Sequence, residues 1–322
     1  MKKTIISCIL ICVMLFSGCQ NTSNQFLSFE LFSAESESLS DYQLSQADFF
    51  SKDLVIVPEE VNIGGDAELT SGASLLVNIS DQKVLYADHV YDKLYPASLT
   101  KLLTALVVLR YGELTDSVTI SYNASHITEI GAKVCGYEEG DVMTLEDLLN
   151  SLLIYSGNDA AIAAAEHVGG SVDAFVELMN EEAVKIGAVH SHFVNPNGLH
   201  DDNHYTTAYD MYLILNELLE YDTFRSIISS TSCTVNYEDK DGKMKQNTFD
   251  ATNQYISGEA EAVDGLQVIG GKTGTTSKAG NCLILLSKDQ VDNEYISVIL
   301  KATDSDALYS QMSHLLSKAV DK

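Results

Sequence analysis

The chain has 322 residues, 45% of them apolar, which is enough for one large domain or two ordinary ones. Acidic residues outnumber basic ones 46 to 19, giving a formal charge of −27, so nucleic-acid phosphates and anionic lipid surfaces repel it. This excludes a nonspecific nucleic-acid binder and leaves a covalent lipid as the sensible attachment to a membrane.

Lys2 and Lys3 precede an apolar stretch from Thr4 to Phe16, and Ser17-Gly18-Cys19 supplies small residues. That is the layout of a secretory signal, and the stretch is too short for a comfortable membrane span. Ending on Gly-Cys, it resembles the bacterial lipoprotein signal, in which the cysteine becomes lipidated and the new N-terminus. Phe16 stands where leucine is usual, with Leu15 beside it. A signal peptide over residues 1–18 and a lipidated Cys19 are therefore expected, the alternative being an ordinary cleaved signal. Loss of residues 1–18 removes two lysines and no acid, which takes the charge to −29. Residues 19–60 are rich in Ser, Gln, Asp and Glu and read as a flexible acidic tether. The folded domain is expected over residues 61–322. Cys135, Cys233 and Cys282 remain in the mature chain, widely spaced and without a CxxC pair. They read as buried small apolar residues rather than a zinc ribbon or disulfide framework, and their pairing stays open.

Two short apolar runs, 74–79 and 83–87, predict a hairpin. A helix is predicted from Pro96, with Leu99, Leu102, Leu103, Leu106 and Leu109 at helical spacing. Thr144-Leu-Glu-Asp147 predicts a capping box opening a helix to about Tyr155. Further helices are predicted from Asn158 to His167, from Ser171 to near Gly187, and from Thr206 or Thr207 to about Tyr221. Strand character returns at 233–237, 244–249, 266–274, 281–287 and 294–300, and a terminal helix takes residues 305–318. The expected class is α+β: one antiparallel sheet formed by both chain ends, carrying an inserted, mostly helical region.

Ser98-Leu99-Thr100-Lys101 places a hydroxyl and an amine three residues apart at a helix start, hence on one face. Serine becomes a nucleophile when a base takes its proton, and lysine serves as that base when burial lowers its pKa. Ser98 is expected both to open the helix and to act as nucleophile. Ser156-Gly157-Asn158 lies between two predicted helices, where a loop can project a second hydroxyl and an amide towards a cleft. Lys272-Thr273-Gly274 ends an apolar run among glycines, as an edge strand pairing with a peptide would need, and Lys272 offers a cation for a terminal carboxylate. Each motif alone is common by chance, and Ser80-Asp-Gln-Lys83 and Ser121-Tyr-Asn123 are decoys of the same spacing.

The ordered set S-x-x-K, S-x-N, K-T-G, together with the stretches 193–211 and 270–284, resembles the serine-type D-alanyl-D-alanine carboxypeptidases, the low-molecular-weight penicillin-binding proteins. The likeness covers roughly residues 70 to 302. It implies a β-lactamase/DD-peptidase-like fold and an acyl-enzyme on Ser98, with Lys101 as base and Ser156, held by Asn158, as proton relay. Lys272, with Thr273, Gly274 and Thr275 beside it, would hold the substrate, and the N–H groups of Ser98 and Thr275 would form an oxyanion hole. The implied partners are peptidoglycan stem peptides ending in D-Ala-D-Ala, and β-lactams as acylating inhibitors. No cofactor and no metal are implied. The expected location is extracytoplasmic, on a bacterial cell membrane through the N-terminal lipid. The family commonly carries a second β-rich domain and a C-terminal membrane helix, whereas about 20 residues here follow the last predicted strand, so the lipid is expected to replace that anchor.

Three rivals remain. A β-lactamase would need a carboxylate to activate the deacylating water; Glu177, Glu181 and Glu182 lie on a predicted helix face, without an E-x-x-L-N loop. A metallopeptidase would draw on His190, His192, His200, Asp201 and His204, but these lack H-E-x-x-H spacing and read as solvated loop residues. A non-catalytic penicillin or peptidoglycan sensor would have no need of all five motif side chains.

Overall fold

The uninterrupted apolar runs from the two chain ends meet in one sheet. The computed structural model describes residues 54–320 except Ile63; the expected signal peptide, Cys19 and the tether up to residue 53 lie outside the described residues. In chain order the elements begin with β1 (Ala73–Asn78), β2 (Lys83–Asp88), α1 (Thr100–Tyr111), β3 (Ser117–Thr119) and α2 (Tyr122–Ser125). There follow β4 (Val142–Thr144), α3 (Leu145–Asn150), α4 (Asn158–Gly169), α5 (Val172–Lys185), α6 (Ala208–Leu218) and α7 (Asp222–Ile228). The chain closes with β5 (Ser232–Glu238), β6 (Met244–Asp250), α8 (Gln254–Ser257), β7 (Leu266–Thr276), β8 (Gly280–Asp289), β9 (Glu294–Ala302) and α9 (Ser305–Ser317).

The main sheet is antiparallel, in the order β2-β1-β9-β8-β7. Both of its faces are covered. On β8, Cys282, Ile284 and Leu286 join the larger core on the helical side, while Leu283 and Leu285 face α9 with Leu308, Met312, Leu315 and Leu316. Alternate side chains point to opposite faces, so a strand buried on both sides reads as continuous apolar sequence. Helix α1 is buried all round from Thr100 to Val108, which makes it the hub of the helical region. Each leucine so buried stabilises the fold by roughly 1.5–3 kcal/mol.

Strands β5 and β6 correct the expectation of a single sheet. They pair with β3 and β4 in a second, four-stranded sheet ordered β3-β4-β5-β6. Val235, Tyr237 and Phe249 point inward, while Thr234 and Thr248 pair on the open face, Oγ1 to Oγ1 at 3.0 Å. One-sided burial is the reason for their polar–apolar alternation. The boundary of the tether also moves. Val55 and Val57 are buried, and the Tyr212 and Tyr91 hydroxyls bond their backbone N–H and C=O at 2.9 and 2.6 Å, so residues 54–60 pack on the domain.

Candidate active site

Pro96 opens a single 3₁₀ turn, Ala97–Leu99, that runs directly into α1. Ala97 holds a φ of 48°, a left-handed conformation that costs a residue with a Cβ on the order of 1–2 kcal/mol. Its neighbours hold it there. The Ala97 carbonyl accepts from Thr100 Oγ1 at 2.8 Å, and Gly198 lies so close that a Cβ on it would stand 1.9 Å from the same oxygen. The Ser98 hydroxyl caps nothing, since no side chain caps either helix start; it opens α1 by position alone.

His204 completes this support and corrects its reading as a solvated loop residue: it is 2% exposed. Its Nδ1 accepts the Val194 N–H at 3.2 Å, so the neutral ring carries its proton on Nε2 and donates to Thr100 Oγ1 at 2.7 Å. Burial pushes its pKa down to about 4. The unfolded chain therefore binds a proton at His204 below pH ~6.5 that the folded chain refuses until about pH 4. Stability from this group is fully present above pH ~6.5 and is lost on acidification, by roughly 3 kcal/mol at pH 4. Unfolding free energies of wild type and His204→Gln from urea titrations should converge by about that amount between pH 7 and pH 4. Parallel curves would remove His204 from the account.

Lys101 is the second residue of α1, one turn on from Ser98, and is fully buried. Its Nζ reaches three oxygens: Ser98 Oγ at 3.0 Å, Asn158 Oδ1 at 2.7 Å and the Asn197 carbonyl at 2.7 Å. Burial lowers its pKa to about 7. In the neutral amine two N–H groups satisfy Asn158 and Asn197, which leaves the lone pair facing Ser98. That is the geometry of a base taking the serine proton.

The second motif is delivered by an irregular helix end. After α3 the chain makes one wider π-type turn, Ser151–Tyr155, and Ser156 follows with φ 73°, again left-handed. Such local departures concentrate at functional sites. The Ser156 side chain lines the pocket that holds Ser98. Asn158 binds Lys101, not Ser156, so the amide orients the amine rather than the relay hydroxyl. In the third motif, Gly274 of β7 passes directly against the Ser98 turn: a Cβ there would lie 2.9 Å from Ser98 N and from Pro96 O. Thr273 Oγ1 pairs with Thr252 Oγ1 at 2.7 Å, and Thr275 Oγ1 donates to Asn281 at 3.0 Å. Lys272 is 1% exposed and donates to the Thr273 carbonyl at 3.2 Å. Burial, then the charges of Lys101 and Lys133, hold its pKa well below the usual lysine value.

Two pockets meet at Ser98. One, of about 380 Å³, contains Ser156, Thr252, Thr273, Thr275 and Lys133. The other, of about 470 Å³, contains Asn158, Asn197, Leu199, His200, Thr276 and again Lys133. Lys133 escaped the sequence reading, and so did the buried, supporting role of His204. Lys133 sits in a stretch without helical or strand periodicity, and His204 in a polar run whose burial comes only from the folding back of residues 191–205.

The decoys go elsewhere. Ser121 caps α2 and bonds Glu166 at 2.6 Å, with Asn123 on the other Glu166 oxygen at 2.8 Å. Ser80 accepts the Glu294 N–H at 2.9 Å. Glu182 is buried in an ion pair with Arg110, and Glu177 and Glu181 line a separate groove that contains neither Ser98 nor Lys133. None of these three glutamates reaches the nucleophile's pockets.

The comparisons with known proteins agree with this geometry. The family model described as peptidase S11, D-alanyl-D-alanine carboxypeptidase, matches residues 60–304. The chain is 32% identical over 251 residues to the D-alanyl-D-alanine carboxypeptidase DacF of Bacillus subtilis, covering 76% of this chain and 60% of the relative. It is 34% identical over 252 residues to DacC of Escherichia coli, with the same coverage of 76% and 60%. The chain thus spans about 60% of the length of these curated relatives. The crystal structure of a Streptomyces DD-transpeptidase superposes with a TM-score of 0.73 at 25% identity, covering 80% of this chain and 99% of the other. The architecture is therefore the penicillin-recognising DD-peptidase fold. The chain belongs to the peptidase S11 family of D-alanyl-D-alanine carboxypeptidases.

Proposed function

We propose that this protein is a serine D-Ala-D-Ala carboxypeptidase that removes the terminal D-alanine from peptidoglycan stem peptides. The observation that carries the reading is Lys101: a fully buried amine of pKa about 7, 3.0 Å from Ser98 Oγ, at the junction of two pockets. Neutral Lys101 takes the Ser98 proton as Oγ attacks the carbonyl between the two D-alanines. The N–H groups of Ser98 and Thr275 hold the developing oxyanion. The C–N bond breaks as Ser156 donates its proton to the departing nitrogen and takes in its place the one Lys101 carries, so D-alanine leaves and Lys101 is neutral again. Water then attacks the ester, Lys101 taking its proton and returning it to Ser98 Oγ as the ester C–O bond breaks, which frees the shortened peptide and the serine hydroxyl. β-Lactams acylate Ser98 by the same attack. Among the described residues no helix is long and apolar enough to cross a membrane. The protein acts outside the cytoplasm, tethered by a lipid on Cys19.

Purified protein should release one D-alanine per pentapeptide ending in D-Ala-D-Ala and none from an L-Ala-L-Ala end. Nitrocefin should give a single burst with little turnover, because none of the three candidate glutamates reaches Ser98. Sustained nitrocefin hydrolysis without D-alanine release would instead make the protein a β-lactamase.

A further inference from the structure

We propose that Lys133, from a loop outside all three motifs, receives the carboxylate at the substrate's C-terminal end and so determines specificity for free-acid peptides. The proposal rests on the carboxypeptidase reading above. Its first support is position: Lys133 lines both pockets at Ser98, and it is the one lysine or arginine that does so among the described residues. Lys101 and Lys272 are buried and line neither pocket, so neither presents its amine at the pocket surface to an incoming anion.

The loop is fixed in place by the second motif. The Lys133 carbonyl accepts the Asn158 N–H at 2.8 Å. Two residues on, the Asp159 carboxylate accepts the N–H groups of Cys135 and Gly136, both at 2.9 Å. The Lys133 ammonium lies 4.1 Å from the centroid of the Tyr155 ring, next in sequence to Ser156. A cation over an aromatic face sheds water and is preorganised for an anion.

It also lacks what other lysines here have. Lys185, Lys245, Lys288 and Lys318 each pair with a carboxylate, whereas Lys133 has no ion-pair partner among the described residues of a chain charged −27. Partial burial lowers its pKa, and a bound carboxylate would raise it again. The pocket it shares with Ser156 and Thr273 supplies hydroxyl donors for the same anion, and Leu308 in the same lining suits a methyl group.

The test compares a D-Ala-D-Ala peptide with its C-terminal amide, for wild type, Lys133→Met and Lys133→Arg. Wild type should prefer the free acid. Lys133→Met should lose about 10- to 100-fold in kcat/KM on the acid, mostly through KM, and stay within about twofold on the amide. Lys133→Arg should restore most of the preference. A Lys133→Met variant that keeps the full preference, or loses both activities equally, overturns the proposal. Acylation of Ser98 by benzylpenicillin and by its methyl ester, followed by intact mass, gives a second reading with the same expected pattern. If wild type cleaves neither peptide but is acylated, the carboxypeptidase reading fails while the acylation pair still decides Lys133. A wild type inert to both ends both proposals.

Discussion

Ser98→Ala should abolish the reaction with benzylpenicillin: intact mass should show one adduct on wild type, mapping to Ser98, and none on the variant. D-alanine release should fall by roughly four orders of magnitude or more, because among the described residues no other hydroxyl lining the two pockets is hydrogen-bonded to a lysine amine. Ser156 lines the same pocket, but the hydrogen bonds of the Lys101 amine go to Ser98, Asn158 and Asn197. Removal of one Oγ should leave the fold intact, since that hydroxyl caps no helix. The variant should therefore melt near the wild-type temperature while being unreactive. An adduct that persists on Ser98→Ala would place the nucleophile elsewhere.

The second large effect concerns Lys101. Its pKa is lowered to about 7, and its neutral form is the one with a lone pair for Ser98. Acylation should then rise about tenfold per pH unit below neutrality and level off above pH ~7. Lys101→Met should lower the rate by about 10²–10⁴-fold, the range for removal of a general base, and should flatten the rising limb. The measurement is the second-order rate of penicillin acylation between pH 5 and 9. A wild-type profile flat across that range, or one with its midpoint near the ordinary lysine value, would show that burial does not set the base.

Much of this was legible in the sequence for reasons that can be named. Continuous apolar runs such as Cys282–Leu286 mark strands buried on both faces, and Thr144 with Asp147 forms the capping box its spacing implies. The three motifs are local patterns, and each lands where its neighbours position it. What escaped depended on contacts distant in sequence. The alternation in β5 and β6 signalled one-sided strands but not which partners they would take, and the three-residue strands β3 and β4 are too short for a periodicity. The role of Asn158 could not be read from its place in the second motif, because its partner is Lys101, in another helix. His204 resembled its solvated neighbours His190, His192 and His200 in every local respect; only its packing against Thr100 separates it from them.

The pairing of β1 with β9 joins Leu75 to Val298, and β1 is held between β9 and β2. Almost the entire polypeptide must therefore be synthesised before β1 finds its second neighbour, and such long-range closure is slow. Neither pocket at Ser98 can assemble until the C-terminal strands arrive, because Thr275 of β7 lines both, so a half-made chain holds the nucleophile and its base without the cleft around them.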